Sequence, residues 1–316
     1  MRVDNRILLL IACFLAGLTG AGDAPAETDP FGGLDTKEES APKTLATAQL
    51  LSDTCTIQPG KPFTVGVLLD IRKDWHVYWK NPGQAGLATS ITFDLPKGFT
   101  AGPLQWPVPI RFEESGGIIS FGYADQVMLL AEITPPKNLP KDLKHVSDIK
   151  LSARADFLAC KTQCIPGTAE ASTTVTVGKK RSAANQKTFD TWRARLPRKP
   201  KKETLTTAGS IPADKKTGTF RLAIDWKAPV SDVHFFPAAS DQVSVEDVRV
   251  RTDKSRTVIT FRVTRYGKKL PDEPLETVIR GTCGKSKETV GLLVPVTLQP
   301  ETNSQTQPSN ISQGDR

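Results

Sequence analysis

The sequence predicts an all-β protein, in which an antiparallel sandwich is followed by a second, smaller β-rich domain. Strand-like segments recur about every ten to twelve residues in the first part, with turn residues between them and no helical pattern. The 24 prolines and 23 glycines suit many short strands joined by turns. A chain of 316 residues is long enough for about two domains.

The first domain is predicted at residues 44–178. Residues 61–71 show the period-two alternation of apolar and polar side chains that a half-buried strand requires. The segments around them are rich in valine, isoleucine, threonine and aromatic residues, which favour strands. The further predicted strands are residues 75–79, 126–133, 149–157 and 169–177.

A basic linker is predicted at residues 179–206. Phe189 and Trp192 lie three residues apart, which indicates a short helix at about residues 183–195 that Pro197 ends. Such a run of cations is either a solvated spacer or a weak contact with anionic lipid headgroups. The cations in the stretch after Trp192 are Arg193, Arg195, Arg198, Lys199, Lys201 and Lys202.

The second β-rich domain is predicted at residues 207–299. Residues 27–43 and 300–316 are polar and poor in apolar residues, so we expect a disordered lead-in and a disordered tail. The strands expected in the second domain are residues 219–226, 243–251, 256–263 and 290–298.

The N-terminus, residues 1–26, has the pattern of a secretory signal peptide. Arg2 and Arg6 precede an apolar stretch at residues 7–18, and Ala24-Pro25-Ala26 has the small-x-small form of a cleavage site. Leu10-Ile-Ala-Cys13 also resembles a lipidation motif, but the apolar run before Cys13 is short and continues past it. We therefore expect a periplasmic or otherwise exported, soluble protein and do not favour a lipid anchor at Cys13.

The formal net charge of +8 raises the question of an anionic partner. The excess of cations lies largely in the linker. We therefore expect no nucleic-acid partner, and a weak membrane-surface contact through the linker stays open as one alternative.

Cys160 and Cys164 give the sharpest chemical signal in the chain. A disulfide requires Cα atoms about 4.4–6.8 Å apart, whereas residues four apart on one straight strand are about 13 Å apart. Lys161, Thr162 and Gln163 must therefore form a tight turn or a helical turn, and a three-residue hairpin loop would be sufficient. Pro166 would help to fix the exit of the chain. Closing so short a loop stabilises the fold by only about 2 kcal/mol. Lys161 could also stabilise a thiolate, so a redox pair and a structural staple both remain open.

The other exported cysteines, Cys55 and Cys283, are far apart in sequence. A bridge between them would close a long loop and contribute more than about 4.7 kcal/mol, but each could equally be a buried thiol. The Cys-x₃-Cys segment is not followed by a second close pair of ligands. We therefore expect no metal site and no cofactor.

Five segments together resemble the N-terminal periplasmic domain of DsbD-type thiol:disulfide interchange proteins, and more closely its ScsB-like branch. The resemblance covers residues 46–177, and the set of motifs is specific although each one alone is weak. The matching segments are Trp75-His-Val-Tyr-Trp-Lys-Asn-Pro-Gly83, Gly86-Leu87, Gly102-Pro-Leu-Gln-Trp-Pro107, Phe121-Gly-Tyr123 and Cys160-Lys-Thr-Gln-Cys-Ile-Pro166. Phe236-Pro237 and the following strands resemble the next segment of ScsB-like proteins more loosely.

The resemblance implies an immunoglobulin-like sandwich in which Cys160 and Cys164 cycle between dithiol and disulfide. They would take electrons from a membrane or thioredoxin-like donor and pass them to periplasmic acceptor proteins, as part of a protein-disulfide reductase system. Cys164 is favoured as the cysteine that meets partners. The alternatives are a non-catalytic envelope binding or scaffolding module with a structural disulfide and, more weakly, copper binding by the thiols.

The resemblance also implies roles around the cysteines. Phe121-Gly122-Tyr123 matches the position of a loop that shields the pair, although ordinary core packing is an equal alternative. Trp75, Val77 and Trp79 should share one face of a strand, and His76 and Tyr78 the other. His76 could assist proton transfer, but a structural histidine is favoured. Asn81, Pro82 and Gly83 complete the family motif.

The full-length family also has a transmembrane electron conduit and a thioredoxin-like Cys-x-x-Cys domain, and neither is present in these 316 residues. We therefore expect either a separated module that works with a membrane protein encoded elsewhere or a chain that has lost exchange and become a binding protein.

Overall fold

Strands and turns make up most of the described chain, and the fold is all-β as predicted. The computed structural model describes residues 44–298, apart from 141–147, 202, 212–214, 238–239, 268 and 285–287. The predicted signal peptide, lead-in, lipid site at Cys13 and tail lie outside the described residues. Within those residues, no helix is both long and apolar enough to cross a bilayer.

The first half of the described chain forms two sheets. The strand orders are β1-β3-β9-β6 and β12-β2-β11-β10-β4-β8-β7, and β5 pairs with β10. A 3₁₀ helix, Ser115–Gly117, separates β7 from β8. The strands are β1 (Ala46–Ser52), β2 (Thr54–Ile57), β3 (Phe63–Ile71), β4 (His76–Gly83), β5 (Ser90–Asp94), β6 (Thr100–Ala101), β7 (Ile110–Glu113), β8 (Ile119–Ala124), β9 (Gln126–Thr134), β10 (Ile149–Cys160), β11 (Cys164–Val177) and β12 (Ser182–Ala183).

These two sheets form an antiparallel, immunoglobulin-like sandwich around one buried core. Val67 and Leu69 from β3 meet Leu151 and Ala155 from β10 in that core. The odd-numbered residues of β10 are buried and the even-numbered ones from Lys150 to Leu158 are more exposed, which is the period that a strand with one buried face requires. The strand pairs are antiparallel except for the short parallel pair of β2 and β11.

The linker contains the helix that the sequence predicts. Helix α1 spans Gln186–Arg193, and it buries Phe189 and Trp192 in the core of the sandwich. Asp53, whose side chain is 5% exposed, accepts ion pairs from Arg181 and Arg193. The backbone N–H of Thr64 also donates to this carboxylate at 3.1 Å. One buried acid therefore holds the linker helix against the edge of the sandwich.

The second half of the chain has two sheets of its own, with strand orders β13-β14-β17-β16 and β15-β18-β19. Phe220, Ile224, Phe261, Ile279 and Val294 lie in its core. The predicted strands 219–226, 243–251, 256–263 and 290–298 correspond to β14, β16, β17 and β19. The strands of this half are β13 (Thr204–Gly209), β14 (Thr217–Asp225), β15 (Val230–Phe236), β16 (Val243–Asp253), β17 (Arg256–Arg265), β18 (Leu275–Cys283) and β19 (Glu288–Val296).

The two halves share part of one core. Phe236 of β15 packs edge-to-face against Trp79 and Phe121, with ring centroids 6.2 and 5.1 Å away. The Asn81 side-chain amide donates to the Pro237 carbonyl at 2.8 Å. Lys80 forms an exposed ion pair with Glu276. The second half is therefore packed directly on the strand that carries the Trp-His-Val-Tyr-Trp motif.

Replacing Asp53 with alanine should lower the free energy of unfolding by about 2 kcal/mol. The change leaves the Thr64 N–H and two guanidinium groups without their acceptor, while part of the charge is screened by solvent. Urea denaturation measures the effect. The matched control is Asp190→Ala, which removes an exposed carboxylate 3.9 Å from the same Arg193 and should cost less than about 0.5 kcal/mol. Equal effects of the two substitutions would contradict the role given to Asp53.

Candidate functional site

The cysteine pair lies at the tip of the long hairpin formed by β10 and β11. Cys160 is the last residue of β10, Cys164 is the first of β11, and the two are directly opposite each other in the register. A disulfide joins them across Cα atoms 4.2 Å apart. The Lys161 N–H donates to the Gln163 carbonyl at 3.2 Å and closes the turn. The expected three-residue loop is therefore confirmed.

The two sulfur-bearing residues differ sharply in their access to solvent. Cys160 is 1% exposed, because β4 lies beside it and pairs His76 with Cys160. Cys164 is exposed, and Pro166 two residues later is exposed as well. A macromolecular partner can therefore reach Cys164, whereas Cys160 is covered by the sheet.

The Tyr78 hydroxyl bridges the disulfide and a carboxylate. It donates to Cys160 Sγ at 2.9 Å, and it lies 3.6 Å from Cys164 Sγ and 3.3 Å from Glu114 Oε1. Burial, reinforced by the Glu114 carboxylate, raises the pKa of Tyr78 to about 12. The phenol therefore stays protonated at neutral pH, and its single proton is available to a sulfur or to the carboxylate.

Glu114 organises the polar groups on this side of the pair. Its Oε1 accepts from Ser120 Oγ at 2.5 Å and lies 3.4 Å from His76 Nε2. The turn that follows it contains Gly116 and Gly117, whose positive φ angles of 80° and 77° favour glycine. Sequence reasoning missed Glu114 and Ser120. The Glu-Ser-Gly-Gly turn was a signal, but one sequence does not reveal which strand the turn faces.

His76 is a buried, mainly structural group in this arrangement. Its ring stacks on Phe112 with centroids 4.2 Å apart, and its Nε2 has no hydrogen bond within the described residues. Burial lowers the pKa of His76 below its ordinary value of 6.5, although the nearby Glu114 carboxylate acts in the opposite direction. The imidazole is therefore neutral at pH 7.

The motif around His76 and Tyr78 divides between two faces of β4. Trp75, Val77 and Trp79 lie in the core of the sandwich, as expected from the alternation, while Tyr78 faces the disulfide. Asn81 accepts the Gly83 N–H at 3.0 Å and bonds the second half through its amide. Pro82 and Gly83 complete the end of β4, and Gly83 pairs with Ser120.

Phe121, Gly122 and Tyr123 form part of strand β8 and pack as sheet and core residues. Phe121 packs against Phe236, and the Tyr123 hydroxyl donates to the Pro107 carbonyl at 2.7 Å. Gly122 is required by close approach, since a Cβ there would lie 2.1 Å from the Val77 carbonyl oxygen. The structure thus favours the packing alternative for this segment, and the groups it places at the pair are Tyr78 and Glu114.

Lys161 is turned to a different partner. Its ammonium group lies 3.4 Å from Asp74 Oδ2, and both side chains are about half exposed. The Lys161 ammonium group therefore pairs with a carboxylate, although Lys161 directly follows Cys160 in the sequence.

A bridge between Cys55 and Cys283 is not formed, so that alternative is corrected. Cys55 is an exposed thiol on β2, and Cys283 is a partly buried thiol at the end of β18. The two strands belong to different sheets and are not paired, which explains why the sulfurs are not joined. Burial, together with the Glu203 carboxylate, raises the pKa of Cys283, so this thiol is a poor nucleophile at neutral pH.

The fold and the cysteine hairpin define a β-sandwich domain that carries one short-loop disulfide beside a buried tyrosine. Residues 46–176 match the family described as thiol:disulfide interchange protein DsbD, N-terminal, and this part of the chain is a DsbD-type N-terminal domain. The structure is similar to that of the N-terminal periplasmic domain of ScsB from Proteus mirabilis, with a TM-score of 0.52 and 14% sequence identity. That similarity covers 80% of this chain and 92% of the other. The comparison with curated proteins gave no match.

The Tyr78→Phe variant should make the disulfide harder to reduce. The hydroxyl donates more strongly to a thiolate than to a disulfide sulfur, so its loss destabilises the reduced form. We expect the reduction potential to fall by about 30 mV, which corresponds to about 1.4 kcal/mol. Equilibration with dithiothreitol measures it. Tyr123→Phe, which removes a buried hydroxyl bonded to Pro107, should leave the potential unchanged, and an equal shift in both variants would contradict the assignment.

His76 should make the protein less stable in acid. Because the folded-state pKa lies below the unfolded value of 6.5, the unfolded chain binds more protons as the pH falls through and below that value. The free energy of unfolding should therefore decrease between about pH 7.5 and pH 5.5, and His76→Gln should lose less over the same window. Urea denaturation at both pH values measures this. If His76→Gln lost as much stability as the unmodified protein between these pH values, the effect assigned to His76 would be refuted.

Proposed function

We propose that this chain is an exported thiol:disulfide exchange protein that relays electrons between a membrane or thioredoxin-like donor and envelope acceptor proteins. The observation that carries the proposal is the difference in solvent exposure between the two cysteines. Cys164 is exposed, and Cys160 is buried against the Tyr78 hydroxyl. This pair lies in a DsbD-type N-terminal domain. The periplasmic location of the similar ScsB domain supports export.

Reduction of an acceptor begins with the dithiol form. The Cys164 thiolate attacks one sulfur of the acceptor disulfide, a mixed disulfide forms, and the other acceptor sulfur leaves as a thiolate. The Cys160 thiolate then attacks Cys164 Sγ and expels the second acceptor sulfur. The acceptor gains two electrons and takes up two protons from solvent, and the Cys160–Cys164 disulfide is restored.

A donor dithiol then reduces the Cys160–Cys164 disulfide by the reverse of these steps. A donor thiolate attacks the accessible Cys164 Sγ, and Cys160 leaves as a thiolate. The Tyr78 hydroxyl is already placed 2.9 Å from the leaving sulfur, where it stabilises the charge that develops. Glu114 competes for the same proton, so its position modulates how much of that stabilisation reaches Cys160.

The rim of the site suits a protein partner. Leu87 is 67% exposed and follows Gly86, which is packed against the Tyr78 ring. Ile118 is 39% exposed, and its carbonyl accepts the Glu114 N–H. Exposed apolar side chains on the loops next to Tyr78 and Glu114 provide the kind of contact that protein interfaces use.

The competing proposal is that the same disulfide is purely structural. The hairpin is already held by twelve register pairs, and closing a loop of about five residues adds only about 2 kcal/mol. Thermodynamic need for the bond is therefore small, which supports exchange over a scaffolding module.

The experiment is the reduction potential of the pair in a Cys55→Ala, Cys283→Ala background, combined with trapping. An exchange pair should have a potential between about −120 and −270 mV, and a staple a value below about −300 mV. In the same background, Cys160→Ser should form a mixed disulfide through Cys164 with a thioredoxin-like protein that keeps one active-site cysteine and is supplied as its disulfide with a small thiol, which leaves as a thiolate.

The matched variant is Cys164→Ser, whose remaining thiol is buried and should not be trapped. Mass spectrometry distinguishes the two products. A staple-like potential together with no trapping by Cys160→Ser would refute exchange and favour the scaffolding function.

A further inference from the structure

The arginines of the basic linker are largely engaged within the protein. Arg193 is bound to Asp53, and Arg198 pairs with Glu203 at 2.7 Å. Arg195 stacks over the Trp192 ring at 4.3 Å. Three arginines of the basic run are therefore engaged by side chains of this protein.

Four other arginines, dispersed in sequence, meet on the outer face of the β13-β14-β17-β16 sheet. They line one shallow groove of about 590 Å³ together with Thr252, Asp253, Val258 and Thr260. The inner face of the same sheet carries core residues such as Phe220 and Phe261. The arginine face is defined by Arg221, Arg249, Arg251 and Arg256.

The register explains how these side chains come together. Arg221 of β14 and Arg249 of β16 both lie opposite Thr260 of β17, from its two sides. Arg251 lies opposite Val258 in the next row on the same face. Neighbouring strands are about 4.8 Å apart and alternate residues about 7 Å apart, so the Cα atoms of any two of these arginines are about 7–14 Å apart.

A β-bulge puts Arg249 and Arg251 on this face. Val243 and Val245 of β16 pack against the core, so a regular strand would point the odd-numbered residues 249 and 251 inward as well. The register shifts between Glu246 and Arg249, where Asp247 has a φ of 51°. After the shift Val250 faces the core, and the two arginines are exposed.

The arginine face lacks internal neutralisation. None of its four guanidinium groups has an ion pair or side-chain hydrogen bond within the described part of the chain, and Asp253 is the acidic residue in the groove. Other exposed arginines on sheet faces are compensated: Arg262 pairs with Glu246 and Asp247, and Arg154 with Asp156 and Glu170. Four like charges that are held together and form no ion pair within the described residues fit an anionic partner.

We propose that the arginine face binds the surface of an anionic phospholipid membrane. The cations are distributed over an open sheet face and do not converge on one point, which suits many headgroup phosphates in a plane better than a single phosphate. Guanidinium forks match phosphate oxygens. Val248, which is 40% exposed in the same bulge, adds an apolar side chain beside Arg249. This surface binding is independent of the thiol exchange proposed above.

Co-sedimentation with phospholipid vesicles tests the proposal. The purified protein should bind vesicles of phosphatidylcholine mixed with phosphatidylglycerol, should not bind phosphatidylcholine alone, and should be released by high salt. Arg249→Gln with Arg251→Gln should weaken binding about 30-fold, since each basic residue near an anionic surface contributes about fivefold. The matched control is Lys150→Gln with Arg154→Gln, which removes the same net charge from the outer face of another sheet and should bind like the unmodified protein.

Circular dichroism and thermal unfolding establish that both double variants are folded. Equal weakening in the two variants would show that net charge alone acts, and this would overturn the assignment to the arginine face. Binding to heparin or to inorganic phosphate, with no retention on anionic vesicles, would assign the face to a soluble anion and would also overturn it.

Discussion

The position of strand β4 between β8 and β10 is the constraint on which the site depends. Its pairing with β10 sets His76 opposite Cys160, and its alternation then places Tyr78 toward the sulfurs and Trp79 in the core. A slip of one residue would exchange these faces and put the phenol into the core. Gly122 of β8 allows β8 to lie this close to β4, because any side chain at that position would collide with the Val77 carbonyl. The chemistry of the disulfide thus follows from sheet register.

The hairpin geometry creates the difference between the two cysteines. Because β10 lies inside the sheet, its last residue is covered by β4, whereas the turn carries the first residue of β11 out to solvent. A disulfide with one accessible and one covered sulfur directs every attack to the same atom. The covered sulfur then becomes the leaving group, and it is the one that the Tyr78 hydroxyl contacts. In the exchange that we propose, local topology would therefore direct attack to Cys164.

The sequence was sufficient for the elements that depend on local pattern. Alternation in residues 61–71 and 149–157, the helix with Phe189 and Trp192, and the turn between the cysteines were all predictable, because each is encoded within a few neighbouring residues. Glu114 and the roles of Phe121 and Tyr123 were not, since they depend on which strands become neighbours; Tyr78 and Glu114, for example, are 36 residues apart. The uncompensated arginine face was hidden for a related reason: a bulge reverses the alternation of β16, and its four residues come from three strands.

The second half of the chain supports the site through packing. Phe236 fills the space between Trp79 of β4 and Phe121 of β8, which are the two strands that hold Tyr78 and Ser120. Asn81, at the end of the same motif, fixes the Pro237 carbonyl. Trp79 and Asn81 therefore join the two halves of the chain, whereas Tyr78 of the same motif contacts the disulfide. Loosening this interface would release β4 and β8 together, and the hydroxyl would lose its fixed distance from Cys160.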